Sequence, residues 1–370
     1  MRLLALWYFA FKGSFAPIEP GFQKNLPGWR WLMTKNESNI VLANKIAGRI
    51  SLAILAVFLW MASSRPALAV DHATNAGLDQ CSLAIVTRQP VGSVRICDPK
   101  TVRSLAQHGQ VFEQNQMGMV SMLVVGPGYD PAQALKWFEQ AARKGYAPAQ
   151  VNLAVMYING WGTQTNYGTA LHWLHEAANQ NYARADYNLG ILYQQGQGVT
   201  KDPAEALRYF RKGAEAGDTG AQTNLGYFYD RGLGVPRNLQ TAADWYRKAA
   251  DAGVALAQNN LADLYLRGEG VPQDDAAAFR LFQQAASQGQ TGARIKLGYM
   301  YSAGRGTPKD LATAYTWITA ATIAGDARGR DLLRSIESQL TPAQIAEGHE
   351  RAKKLNAEGA FTVLARALQP

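Results

Sequence analysis

"NNLADLYLRGEGVPQ" runs from Asn259 to Gln273, and its apolar half leads into Gly268-Glu269-Gly270, the place where a nucleotide-binding glycine loop would sit. The rest of the chain decides what that loop is. The same Gly-x-Gly recurs at Gly160/Gly162, Gly196/Gly198, Gly232/Gly234, Gly268/Gly270 and Gly304/Gly306, each step 36 residues. A phosphate site is normally built once, whereas a fixed period of this size marks a stacked repeat array. The loop is therefore a recurring turn.

Numbered with Asp130 as position one, units begin at Asp130, Asn166, Asp202, Asn238, Asp274 and Asp310. Asp or Asn suits a helix N-cap, because its side-chain oxygen accepts from an orphan backbone N–H. A first helix follows. Position five is always Ala, position eight is Trp, Tyr or Leu, and position thirteen is Ala in five units and Thr322 in the last. Apolar residues at 5, 8, 9, 12 and 13 form one helical face. Position sixteen is Gly except for Asn181, and both residues tolerate a left-handed helix end. The second helix carries Ala at position 20, Leu at 24 (Leu153 through Leu333) and Tyr at 28 (Tyr157 through Tyr301), again one stripe. The small residues predict close helix approach, with the aromatic column filling the space between units.

These columns resemble the Sel1-like repeat, a relative of the tetratricopeptide repeat, most completely over 202–273. The resemblance covers about 94–340 and implies an all-α fold, an α/α solenoid of helical hairpins stabilised by stacking. Residues 94–129 read as a degraded cap unit that keeps Ala106, Gly109, Gln114, Met117 and Gly118 in register. Thr341-Pro342 reads as the cap and first turn of a final helix to about Leu355, within a closing segment 341–370. "NAEGAFTVLARALQP" beyond it is either a docked helix or a tail.

The chain has 370 residues, 47% hydrophobic, with 37 Lys/Arg against 28 Asp/Glu and a formal charge of +9. Residues 1–69 hold eight of the bases and two of the acids, so 70–370 carries 29 against 26, an ordinary surface. Nucleic-acid binding loses its compositional support. The basic front belongs to an export pattern. Lys45 and Arg49 precede an apolar run from Ile50 to Ala62, and Ala67-Leu68-Ala69 is an Ala-x-Ala cleavage site. The run is short for a bilayer span, which takes about 20 residues; an uncleaved anchor is the competing reading. Residues 33–69 thus read as a signal peptide beginning at Met33. Residues 1–32 read as an extension ahead of the true start, and cleavage after Ala69 implies a periplasmic or secreted product. In the segment 70–93 and just after it lie Cys81 and Cys97, the two cysteines of the chain. In an oxidising compartment a disulfide is their simplest reading, worth about 3 kcal/mol in the chain-entropy model; free thiols or metal ligation are the alternatives.

Catalytic groups are sparse. His172, His175 and Glu176 share a helix face, but their columns hold Lys136, Arg208, Asp244 and Lys212 elsewhere, which marks solvated positions. His72, His108 and His349 lack ligand-spaced neighbours, and no Gly-x-Ser-x-Gly, His-Glu-x-x-His or Ser-x-x-Lys set occurs. Some cysteine-rich Sel1-like members are associated with β-lactams, yet the repeats here carry no cysteine pairs. The expectation is a noncatalytic scaffold or adaptor with no cofactor and no metal. A β-lactam-binding or hydrolysing envelope enzyme and a glycan- or peptidoglycan-binding module are the alternatives.

If first helices line the concave face, as the resemblance implies, positions seven and eleven make a mildly basic groove. Its candidate contacts are Lys136, Arg208, Lys212, Lys248 and Arg280. It would suit an acidic or extended envelope or secreted protein. Reversing Arg208, Lys212 and Lys248 to Glu is expected to weaken such a partner and to leave thermal unfolding unchanged. Asn152, Asn188, Asn224 and Asn260 recur at position 23, either to hold a bound peptide's backbone or to bond a neighbouring loop. Trp161 is an exposed anchor for a partner or packs on Tyr167.

Overall fold

Asp or Asn side chains open each of the six first helices of the computed structural model, which describes residues 99–122 and 129–367, with side chains over 103–122 and 129–357. A degraded pair comes first, α1 (Pro99–Gln107) and α2 (Val111–Met122). First helices follow at the repeat period: α3 (Pro131–Arg143), α5 (Tyr167–Asn179), α7 (Pro203–Glu215), α9 (Leu239–Asp251), α11 (Asp275–Ser287) and α13 (Leu311–Ile323). Second helices alternate with them: α4 (Ala147–Asn159), α6 (Ala183–Gln195), α8 (Thr219–Arg231), α10 (Ala255–Arg267) and α12 (Thr291–Ala303). A 3-10 turn (Ala327–Gly329), α14 (Arg330–Glu337) and α15 (Pro342–Ala367) close the array. Among the described residues there is no strand, and no helix is long and apolar enough to cross a membrane. The fold is an α/α solenoid. The N-terminal extension, the signal segment, Cys81 and Cys97 lie outside the described residues.

Local chemistry sets the start of each first helix and the glycine-rich corners of the repeat. The side chains of Asp130, Asn166, Asp202, Asn238, Asp274 and Asp310 each accept from a backbone N–H in the following turn. Such a cap is worth about 1 kcal/mol. Asn181 takes the left-handed corner at φ 60° that glycine takes in the other units. In the Gly-x-Gly turn the first glycine ends the second helix in the left-handed region, as at Gly268 with φ 66°. The second has a further duty. A Cβ at Gly270 would lie 2.4 Å from the carbonyl carbon of Leu239, on the first turn of α9. The turn rests directly on the backbone of a helix about 30 residues upstream, and that contact is what the loop is for.

Packing fixes which helices form a hairpin. The closer pairings run across the glycine turn, α2 with α3, α4 with α5 and α6 with α7, rather than within the units counted from Asp130. The cause is a small residue at position 25 facing the bulky residue at position nine of the next unit. Gly118 meets the ring of Phe138, Gly190 that of Phe210, Gly226 that of Tyr246, and Gly298 meets Ile318, each at a distance a Cβ would violate. Phe138, Phe210, Tyr246 and Phe282 are at most 1% exposed, and burying such a side chain contributes about 1.5–3 kcal/mol.

The C-terminal end departs from expectation in extent. Thr341 caps α15 as read, its hydroxyl accepting from Gln344 N–H at 3.3 Å. The helix then runs to Ala367 instead of ending near Leu355. It packs along α13, Asn356 donating to the carbonyl of Ala320 at 3.0 Å. Thr316, Thr319 and Ala320, in columns that are solvated elsewhere, are buried there.

Candidate partner-binding face

The first helices turn positions seven and eleven outward because their apolar stripe points the other way. Lys136, Arg208, Lys212, Lys248 and Arg280 are all exposed. Their surroundings differ. Arg208 is held by Glu205 through Nη2 at 2.8 Å and Nε at 3.1 Å, with its guanidinium 4.2 Å from the centre of the Tyr209 ring. Lys248 Nζ lies 3.9 Å from the centre of the Trp245 ring. Lys136 and Arg280 make no hydrogen bond or ion pair with the described residues. Tyr209 also stacks on Tyr193 at 5.4 Å and faces His175 at 6.3 Å. Burial and the Arg208 charge hold the His175 imidazole below its ordinary range. Among the described residues no group of three or more His, Cys, Asp or Glu is arranged to hold a metal.

Lys212 is a different kind of residue, and the sequence reading of it needs correcting. Position 21 is normally an amide whose N–H caps a carbonyl at the end of the first helix. Gln150 donates to Ala142, Gln222 to Ala214 and Gln258 to Ala250, and Arg294 does the same for Ala286. In the second unit the residue is Asp186, which has no proton to give. Lys212 reaches over instead, donating to the Ala178 carbonyl at 3.0 Å and pairing with Asp186 Oδ1 at 3.2 Å. The carboxylate is 1% exposed, and burial pushes its pKa up while Lys212 pulls it back. Reversing Lys212 would therefore disturb the fold, against the expectation of unchanged unfolding.

The asparagine row lies inside the joints between second helices. Position 22 of one unit meets position 23 of the next: Asn152 donates to Asn115 Oδ1 at 3.0 Å, and Asn224 bonds Tyr187. Asn152 and Asn188 are 0% exposed, so neither reaches a bound peptide. Asn224 and Asn260 are half-buried, the first donating to Gly220 O and the second accepting from Asn259. Both amide atoms of Asn188 lack a hydrogen-bond partner, since its register neighbour is Val151. Trp161 is half-buried against the apolar cores of α3–α4 and α4–α8, which corrects its reading as an exposed anchor. Sequence reading missed the outward side of the second helices, where Tyr227, Leu256 and Tyr299 are 37–49% exposed. Their columns vary between units, so periodicity gave no signal for them.

Comparison with known proteins adds to this geometry. A family model described as the Sel1 repeat matches six segments, residues 114–146, 147–182, 183–218, 219–254, 255–290 and 292–326. Its frame starts on the second helix and runs through the glycine turn, the same hairpin that the packing selects. The crystal structure of a Sel1 repeat protein from Oxalobacter formigenes is similar, with 32% identity and a TM-score of 0.56 over 62% of this chain and 91% of that one. A protective antigen of uropathogenic Escherichia coli displaying an SLR fold shares 26% identity, with a TM-score of 0.48 over 78% of this chain and 70% of that one. No curated protein matches.

Proposed function

The chain belongs to the Sel1 repeat family, whose members serve as protein-interaction scaffolds, and we propose that this one is exported and holds an acidic or extended protein partner on its first-helix face. The observation that carries the reading is the repetition of cations in two outward columns. Lys136, Arg208, Lys248 and Arg280 are exposed, and two of them lie over aromatic rings. A cation over a ring is oriented before a partner arrives, and such contacts contribute about 0.5–1 kcal/mol at exposed sites. An acidic chain running along the array would meet a positive group at the first, third, fourth and fifth units, while the second presents His172 and Glu176 in the same columns. Export rests on the charged, apolar and Ala-x-Ala pattern from Lys45 to Ala69. With cleavage after Ala69 the partner is an envelope or secreted protein.

A crosslinking pull-down from envelope extract tests this, with the chain from Val70 onward as bait. The control carries Lys136→Glu, Lys248→Glu and Arg280→Glu and leaves Lys212 intact. One protein recovered near stoichiometrically by the natural chain, and lost with the control, supports the reading. Equal recovery by both chains removes the first-helix face from the account.

A further inference from the structure

Several independent features meet at the joint between α5 and α6. Of the consecutive helix pairs from α1 to α13, these two are the most sparsely packed against each other. Their corner is turned by Asn181, the one non-glycine residue with positive φ among the described residues. The Tyr182 hydroxyl, at the entry to α6, is buried without a hydrogen-bond partner, a polar group this corner leaves unsatisfied. The amide that closes the first and third units is replaced here by the Asp186 carboxylate. The Ala178 carbonyl at the end of α5 is served by Lys212 from α7, a residue of the next hairpin.

We infer that the α5–α6 joint is a charge-latched flexing point in the array, held closed by Lys212, which ties the end of α5 to the start of α6. The latch is ionic and lies at the edge of the core. Asp186 is 1% exposed at its side chain, whereas Lys212 is 44% exposed. Water and salt therefore reach one partner while the other stays buried. Around the pair stand Arg208 and His175 on the first helices, and Arg184 with Asp218, paired at 3.0 Å. The apolar residues from α4 to α8 form one continuous cluster across the joint. Release of the latch therefore lets α5 and α6 slide over a greasy surface, a shear motion, and does not split the array. Fraying termini are the usual low-stability regions of a folded chain; this flexing point lies within the array.

Hydrogen exchange on the full chain tests the proposal, reading amides of 167–195 against their counterparts in 239–267. In the natural chain 167–195 exchanges faster, and the excess grows as salt is raised. Lys212→Ala speeds exchange about tenfold in 167–195 and little in 239–267. Asp186→Gln, which restores the usual amide, slows exchange there and reverses the effect of Lys212→Ala when the two are combined. Equal protection of the two segments in the natural chain overturns the proposal. So does a Lys212→Ala effect spread evenly over the array, or an Asp186→Gln variant that exchanges no more slowly. If Lys212→Ala fails to fold, the salt series and the single Asp186→Gln variant still decide it.

Discussion

Two glycines with the same backbone twist should respond very differently to a methyl group. Gly253 ends a first helix at φ 84°, and an added Cβ there meets no atom within 4 Å. Gly270, the second glycine of the Gly-x-Gly turn, has φ 72°, and its Cβ would fall 2.4 Å from the Leu239 carbonyl carbon and 2.5 Å from its oxygen. Gly253→Ala thus carries only the left-handed backbone cost, about 1–2 kcal/mol. Gly270→Ala carries that cost and must also push the turn off the first turn of α9. Those contacts are backbone atoms that cannot rotate aside, so overpacking adds about 1–3 kcal/mol. Urea unfolding of the two variants beside the natural chain measures the difference, read as the midpoint shift at common slope. The account expects Gly270→Ala to be the more damaging by at least about 1 kcal/mol. Equal losses would mean that the turn does not bear on α9, and the reading of the glycine loop as a packing device would fail.

Asn188→Leu exchanges a fully buried, unpartnered amide for an apolar side chain of similar size, and should raise the urea midpoint by about 1 kcal/mol in stability terms; a lower midpoint contradicts the reading. Lys212→Glu should cost at least about 2 kcal/mol, below the 3–5 of a wholly buried pair because Lys212 is 44% exposed. Lys248→Glu, which loses only a ring contact, should cost under about 1 kcal/mol; thermal unfolding of both variants compares them. Asp326 gives a pH signature. Hydrogen bonding from Arg328 lowers its carboxyl to about 2, against an ordinary value of 3.8. The folded state therefore holds its proton less tightly than the unfolded chain, and this stability is present above about pH 4 and lost as pH falls toward 2. Asp326→Asn should flatten the acid limb of the stability curve over that window, and an unchanged limb would discount the Arg328 contact.

What was legible in the sequence is what local chemistry fixes. Each N-cap from Asp130 to Asp310 binds the turn after it, and Asn181 stands at a left-handed corner because Asn tolerates one. Those features need only a few neighbouring residues, so one chain with six copies spells them out. The site was less legible, because its meaning depends on partners from other helices. Asp186 in place of the recurrent position-21 amide reads as ordinary drift until Lys212 is seen filling in for the missing N–H. The asparagine column leaves a peptide-holding row and a structural bond both open until the second helices are laid side by side, when Asn152 turns out to join Asn115. Hairpin phase was hidden for the same reason: period alone does not say which neighbour lies closer, whereas the fit of Gly190 to Phe210 does.

The central claim is that partners bind the first-helix face, and two variants matched in number of changes test it against the other face of the array. One carries Lys136→Glu, Lys248→Glu and Arg280→Glu; the other carries Tyr227→Ser, Leu256→Ser and Tyr299→Ser on the exposed side of the second helices. Partner affinity is measured for both by titration calorimetry once circular dichroism shows each folded. The account predicts at least a tenfold loss for the first variant and little change for the second. Loss confined to the second variant would contradict it and move the partner to the tyrosine-bearing face.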